Sequence, residues 1–303
     1  MAFSVTILGS SSALPTSNRN LTAHLLNAGE RFFLIDCGEG TQLQLRKYKA
    51  KLGRLNHIFI THLHGDHVFG LPGLISSLNL LGRTSDLHIY AHPYLKNILK
   101  QYMSFFFERL DFTIIYHPLN LSSSELIMDD GKIEVYSFPL KHRIPTCGFL
   151  FKEKPRLRNI KKDMIEFYKI SLREIVSIKQ GKDFTDEDGN VIPNARLTID
   201  PPPTKSYAFC SDTAYYTEIV PIIKNVELLY HEATFSESDK DRAIETFHST
   251  ASDAATIAKL ADAKKLIIGH FSARYKETAP LLEEARKIFP NTEEAIDGKE
   301  IVV

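Results

Sequence analysis

Tryptophan is absent from the 303-residue chain, and cysteine occurs only three times. Cys37, Cys147 and Cys210 are far apart, odd in number and in no CxxC spacing, which argues against a disulfide framework and suits a reducing cytosol. They read as small buried packing residues. Net charge is missing as well. Lysine plus arginine equals aspartate plus glutamate at 37 each, so the global field gives no steer toward nucleic acid, and any binding surface must come from local segregation. No charged-then-apolar leader opens the sequence, and no apolar run approaches the roughly 18 residues of a membrane span. A soluble, cytoplasmic location with no membrane partner is the expectation. Short-period repeats and low-complexity tracts are also lacking. What is present is a hydrophobic content of 43%, enough over this length for one large core or two intimate halves.

Strand and helix signals interleave, which sets the class as α/β. Phe3 to Leu8, His24 to Asn27 and Phe32 to Asp36 have strand patterning, and Thr41 is a possible N-cap for a helix over Gln42 to Lys51. A strand from His57 to Thr61 runs into a histidine-rich loop. Helices follow over Gly73 to Leu81 and Leu95 to Phe107, with a strand over His88 to Ala91 between them. Strands resume at Ile114 to Tyr116, Ile133 to Pro139 and Cys147 to Lys152. From Glu153 to Pro203 the character changes to a charged insert with turn signals and no sustained core pattern. Between Lys152 and Lys182 it holds ten basic residues against four acidic ones. The core pattern then returns with strands Ser206 to Cys210, Glu227 to Tyr230 and Lys265 to Gly269, and helices Ser252 to Leu260 and Pro280 to Phe289.

The densest chemistry is Thr61-His62-Leu63-His64-Gly65-Asp66-His67, four potential ligands within six residues at a strand end. Residues two apart in an extended stretch point the same way, so His62 and His64 can grip one metal. After the Gly65 turn, Asp66 and His67 can be aimed at a second. Imidazole and carboxylate together suit zinc, with manganese or iron conceivable. Two ions need about seven protein donors, so further ligands should lie at other strand ends. His142, Asp212 and His270 each follow a strand. Taken singly, each also reads as a capping or surface residue.

The histidine loop resembles the HxHxDH signature of the metallo-β-lactamase superfamily. Asp36-Cys37-Gly38-Glu39-Gly40-Thr41-Gln42, Pro15 with Arg19-Asn20, His231-Glu232-Ala233-Thr234, His248-Ser249-Thr250 and Gly269-His270-Phe271-Ser272-Ala273-Arg274-Tyr275 are similar to motifs of the ribonuclease Z family, in its order. The resemblance implies a four-layer αββα sandwich over residues 1–303, a single domain with a tRNA-binding arm inserted at about 153–203. It implies two zinc ions per chain. His62, His64 and His142 would hold one, Asp66, His67 and His270 the other, and Asp212 would bridge them. It further implies a zinc-dependent phosphodiesterase, an endoribonuclease in which dimetal-activated hydroxide removes the 3′ trailer from precursor tRNA. His248 is then the acid for the leaving oxygen, Glu232 orients or charge-stabilises it, and Asp66 carries a second label as proton acceptor. Family members are commonly homodimers, with the arm of one subunit serving the site of the other.

The basic bias of Lys152, Lys154, Arg156, Arg158, Lys161 and Lys162 fits phosphate contacts, but the family arm's Gly-Pro-rich signature is not visible, and an ordinary solvated loop is the alternative. Two other functions compete: a different hydrolase of the same fold, and a non-catalytic RNA-binding protein that keeps the fold. The first is not excluded by fold alone. The second needs gaps in the ligand set, and the sequence has none.

Overall fold

The computed structural model describes residues 3–106 and 109–303. They form two compact units by contact: Met1–Lys152 with Lys205–Val303, and Glu153–Thr204.

The larger unit contains two seven-stranded sheets. The first runs in the order Glu300–Val302, Phe3–Gly9, Ala23–Ala28, Phe32–Ile35, Leu55–Phe59, Leu87–Ala91 and Ile114–Pro118. The second runs Thr292–Glu294, Lys265–Gly269, Leu228–Glu232, Ser206–Cys210, Thr146–Glu153, Ile133–Leu140 and Glu125–Asp129. Strand periodicity decides which side chain goes where, because successive residues face opposite sides. In Lys265–Gly269, Ile267 joins the aromatic-rich core shared by both sheets, with Phe33, Phe59, Phe149 and Phe209. Its neighbours Leu266 and Ile268 face the other way, onto the helices Ala251–Leu260 and Ala279–Ile288. On the first sheet, Leu34, Ile58 and Ile89 pack likewise under Leu71–Leu80 and Leu95–Phe106. The layers are therefore helix, sheet, sheet, helix.

Parallel pairing positions the site. Ser206–Cys210, Leu228–Glu232 and Lys265–Gly269 are mutually parallel and in register, so their C-terminal ends deliver Asp212, Glu232 and His270 to one edge. Phe32–Ile35 and Leu55–Phe59 are parallel too, and bring Asp36 and His62 to their own C-terminal ends. Helix Ala251–Leu260 begins with a capping box, in which the Thr250 hydroxyl accepts from Asp253 N and the Asp253 carboxylate accepts from Thr250 N. Its alanines at 251, 254, 255 and 258 let it sit close on the sheet.

Local differences from the sequence reading have physical causes. Thr41 is not the N-cap. Gly40 takes the left-handed conformation there (φ 83°), Thr41 is the first helical residue of Thr41–Lys47, and its hydroxyl donates to Gly38 O at 2.6 Å. The helix stops early because Lys49 turns left-handed at φ 54°. The pattern does not announce Glu125–Asp129, Thr292–Glu294 or Glu300–Val302, which are short or charged edge strands. Phe107, the expected last residue of the helix from Leu95, lies outside the described residues; the helix is described over Leu95–Phe106.

The smaller unit has a core, contrary to the pattern reading of its segment. Ile170, Ile178, Phe184, Ile192 and Leu197 are buried together among helices Lys162–Phe167, Leu172–Lys179 and Asn194–Leu197 and two small two-stranded sheets. The contributors are single apolar residues from short elements, too few in each to show a period. Across Glu153–Thr204, ten cations meet nine carboxylates, so its basic character is confined to the first part of its sequence.

Candidate metal centre

The loop after strand Leu55–Phe59 turns at Gly65 into the short helix Gly65–Val68, which carries Asp66 and His67 while His62 and His64 precede it. Four ring and carboxylate atoms converge: His62 Nε2 is 3.0 Å from His64 Nδ1, which is 3.3 Å from His142 Nε2. Asp212 Oδ2 lies 3.5 Å from His62 Nε2 and 3.7 Å from His142 Nε2. A second group forms on the other Asp212 oxygen. Oδ1 is 3.3 Å from His67 Nε2 and 3.1 Å from His270 Nε2, and Asp66 Oδ2 is 3.3 and 3.5 Å from the same two nitrogens.

These spacings identify what the groups fit. A tetrahedral ion with bonds of about 2.0–2.2 Å separates its ligand atoms by about 3.3–3.6 Å, which both sets approach. His67 Nε2 and His270 Nε2 are buried without a hydrogen-bond partner although carboxylate oxygens surround them. Their lone pairs face a shared centre instead. The outer nitrogens settle the tautomers. His67 Nδ1 bonds Asp36 Oδ2 at 2.8 Å, His142 Nδ1 donates to Phe247 O at 2.9 Å, and His62 Nδ1 meets Thr61 Oγ1 at 3.0 Å. The Thr234 hydroxyl donates to Glu232 Oε2 at 2.7 Å, so it accepts from His270 Nδ1 at 2.9 Å. A proton held on each outer nitrogen leaves the inner one as a donor for a cation.

Electrostatics agree. Asp36, Asp66 and Asp212 are 0–11% exposed at the side chain, and their charged-group partners here are imidazoles alone. Three carboxylates in one desolvated place call for a cation. Burial pushes His62 down to about 3, so its ring is neutral as a ligand must be. At His67 the carboxylates Asp212, Asp66 and Asp36 outweigh burial and draw positive charge to the ring, a demand that a cation at the shared centre would meet in place of a second ring proton.

Beside the two groups stands a further pair, whose histidine, His248, also lies within ligand distance of Asp212 and His270. His248 Nδ1 lies 2.7 Å from Glu232 Oε1, and Glu232 also accepts from Thr213 N, Thr234 N and the Thr234 hydroxyl. Burial lowers the His248 pKa, but the charge and hydrogen bond of Glu232 outweigh it and lift it to about 9. Ser249 Oγ donates to Thr213 O at 2.7 Å and Thr250 caps the following helix, so the two residues after His248 anchor its backbone. Phe247 before it and His270 adopt left-handed φ of 58° and 60°, as does Asp36 at 57°. Backbone strain of this kind gathers at functional sites.

The structure thus brings His62, His64, His142, Asp212, Asp66, His67 and His270 together, with His248 and Glu232 alongside. Pattern reading assigns no role to Asp36, Thr61 or Thr234, which orient three of the rings. The available signal was their place inside the quoted motifs, each at or just after a strand end. An open cavity of about 670 Å³ covers the centre, and Leu14, Phe69, Arg143, Arg242 and Arg274 line it.

A layered αββα sandwich with this histidine–aspartate cluster at the sheet edge defines a metallo-β-lactamase-fold protein. Human tRNase Z, short form, superposes with a TM-score of 0.71 at 30% identity, covering 98% of both chains. The metallo-β-lactamase fold protein YhfI from Bacillus subtilis gives 0.69 at 17% identity over 99% of each, a likeness of fold alone. The family model for the anti-Pycsar protein Apyc1 matches residues 3–155. Ribonuclease Z of Parabacteroides distasonis is 50% identical across 96% of this chain and 95% of its own length. That of Bacteroides thetaiotaomicron is 51% identical across 96% and 92%. The chain belongs to the ribonuclease Z family.

Proposed function

We propose that this chain is an endoribonuclease that cuts the 3′ trailer from precursor tRNA, leaving a tRNA 3′-hydroxyl and a trailer 5′-phosphate. The observation that carries the reading is the Glu232–His248 pair standing beside two ligand groups that share Asp212. Ribonuclease Z relatives along 96% of the chain support it. His62, His64, His142, Asp66, His67, His270 and the shared Asp212 would hold two zinc ions, or manganese or iron in their place, which would supply water activation and offset charge on the phosphoryl oxygens.

The chain's own residues do the rest. A leaving ribose 3′-oxygen is too basic to depart without a proton, and His248 supplies it. Glu232, fixed by its other hydrogen bonds, keeps the His248 ring oriented and charged. Asp66 is the remaining proton acceptor, with Ala13 N donating to its Oδ2 at 2.8 Å. In the same reading the unit Glu153–Thr204 is the arm that holds tRNA, and the enzyme works in the cytoplasm. No helix among the described residues is long and apolar enough to cross a membrane.

A homodimer completes the proposal. Helix Leu95–Phe106 leaves Ile98, Tyr102, Phe105 and Phe106 exposed, with Tyr94 just before it and Leu80 and Leu81 exposed at the end of the preceding helix. Such an apolar stripe marks an association surface, and a second copy of the chain is its occupant here. The deciding experiment is incubation with a 3′-extended precursor tRNA, with and without chelator, followed by end-mapping of both fragments. One chelator-sensitive cut at the mature 3′ end is expected; products with a 2′,3′-cyclic or 3′-phosphate end overturn the mechanism.

A further inference from the structure

The walls of the cavity over the metal centre differ in chemistry according to the sheet they come from. Arg143, Arg242 and Arg274 line it from loops and a helix that follow strands of the second sheet, as do Thr246 and His248. Leu14, Pro15 and Phe69 line it from loops of the first sheet, beside the carboxylates Glu39 and Asp66. Arg242 pairs with Glu245 and Arg274 with Asp239, both at the rim of the same arginine-bearing wall, yet every cationic side chain that lines the cavity besides the histidines stands there, so the phosphates of a polynucleotide laid across the centre are drawn to that side.

Phe69 stands out on the wall without arginines. It is 69% exposed, a large aromatic ring in water two residues from the ligand His67. One side of it is backed by main chain. A Cβ at Gly65 would fall 2.3 Å from the Phe69 ring, so the ring lies directly against the Gly65 backbone between His64 and Asp66. Leu14, 65% exposed, lines the same wall, and its loop is tied to the centre because Ala13 N donates to Asp66. An exposed aromatic ring backed on one side by main chain leaves its remaining surface for a base to stack on.

We infer that Phe69 stacks the base of the first trailer nucleotide, the one that keeps the scissile phosphate as its 5′-phosphate. This rests on the tRNA-processing reading above. The leaving 3′-oxygen of the tRNA meets His248 on the arginine-bearing wall, so the nucleotide on the other side of the scissile phosphorus is directed to the Phe69 wall. Every base has a π-face, so the contact grips trailers of any sequence. Phe69 is a binding and positioning residue and takes no part in proton transfer.

The test is a cycle of two proteins and two substrates. Wild type and Phe69→Ala are assayed on precursor tRNA with either an ordinary or an abasic first trailer nucleotide, and the metal content of both proteins is measured. Loss of one stacked base predicts a fall in kcat/KM of about tenfold or more for Phe69→Ala on the ordinary substrate. On the abasic substrate the gap between the proteins should shrink to within about twofold. Phe69→Trp adds a spectroscopic readout, since the chain has no other tryptophan. Its emission should be quenched on rapid mixing with the ordinary substrate and not with the abasic one. Equal losses on both substrates, or quenching indifferent to the base, overturn the inference while leaving tRNA processing intact. Failure of wild type to cut either precursor instead overturns the reading it rests on.

Discussion

At the scale of single residues, the proposed function separates groups that would hold ions from a group, His248, that would move a proton. Asp212 offers one oxygen to each ligand group, and no other side chain there belongs to both by its two oxygens. Asp212→Ala should therefore strip both ions and abolish cleavage, with metal analysis falling from about two ions per chain toward zero. His64→Ala should abolish cleavage as well. His248 is bound through Glu232 instead, and its alanine variant should retain its metals. Its loss should appear in the chemical step, at roughly 100- to 10,000-fold in single-turnover rate. Should His248→Ala lose its ions and keep full turnover on what is left, the acid role falls. Asp36 shows how far the sequence could be read at this scale. It stands in a recognisable motif, yet only the structure joins its Oδ2 to His67 Nδ1 across a sequence separation of 31.

At the scale of elements, the insert and the exposed helix each invite a test. The unit Glu153–Thr204 buries its own cluster, so removing Lys154 to Asp200 with a short linker should leave the sandwich folded and the metals in place. Precursor binding should weaken and its salt dependence become shallower, since each lost phosphate contact removes a slope of about 0.9 on duplex nucleic acid. Equal processing by the shortened and full chains at matched salt would assign recognition elsewhere. For the helix Leu95–Phe106, Ile98→Glu with Phe105→Glu places two charges on the apolar stripe. Both residues are more than half exposed, so the fold should survive while sedimentation shifts from dimer to monomer. An unchanged mass removes this surface as the interface.

At the scale of the whole molecule, the inter-sheet core contains an ionisable group that ties stability to pH. His24 is fully buried against Phe209 and Tyr230, with Nδ1 on Tyr207 Oη at 2.8 Å and Nε2 unpartnered. Burial pushes its pKa down to about 3 from 6.5. Below pH 6.5 the unfolded chain takes up a proton that the native chain refuses. Stability is thus complete above 6.5 and falls by about 1.4 kcal/mol per pH unit until about pH 3, on the order of 5 kcal/mol in all. Replacing the pair together, His24→Leu with Tyr207→Phe, avoids stranding the tyrosine hydroxyl and should flatten the pH dependence by that slope. Urea unfolding at several pH values reads it, and identical slopes in both proteins would rule His24 out as the cause.

By itself the sequence determined whatever is written locally. Strand alternation and helix periodicity fixed the interleaved α/β class, and the four ligands packed between His62 and His67 announced a metal site before any fold was known. His142, Asp212 and His270 could be nominated because each follows a strand. Only the tertiary structure decided that they meet, since convergence depends on which strands run parallel and end at one edge, and pairing partners lie tens of residues apart. The same holds for the rings' tautomers, set by Asp36, Phe247 O and Thr234, and for the small core of the insert, where no single element is long enough to show a period. The uneven cavity walls belong to this second class too, because charge sorted by sheet is a property of how the layers pack and not of the order of residues along the chain.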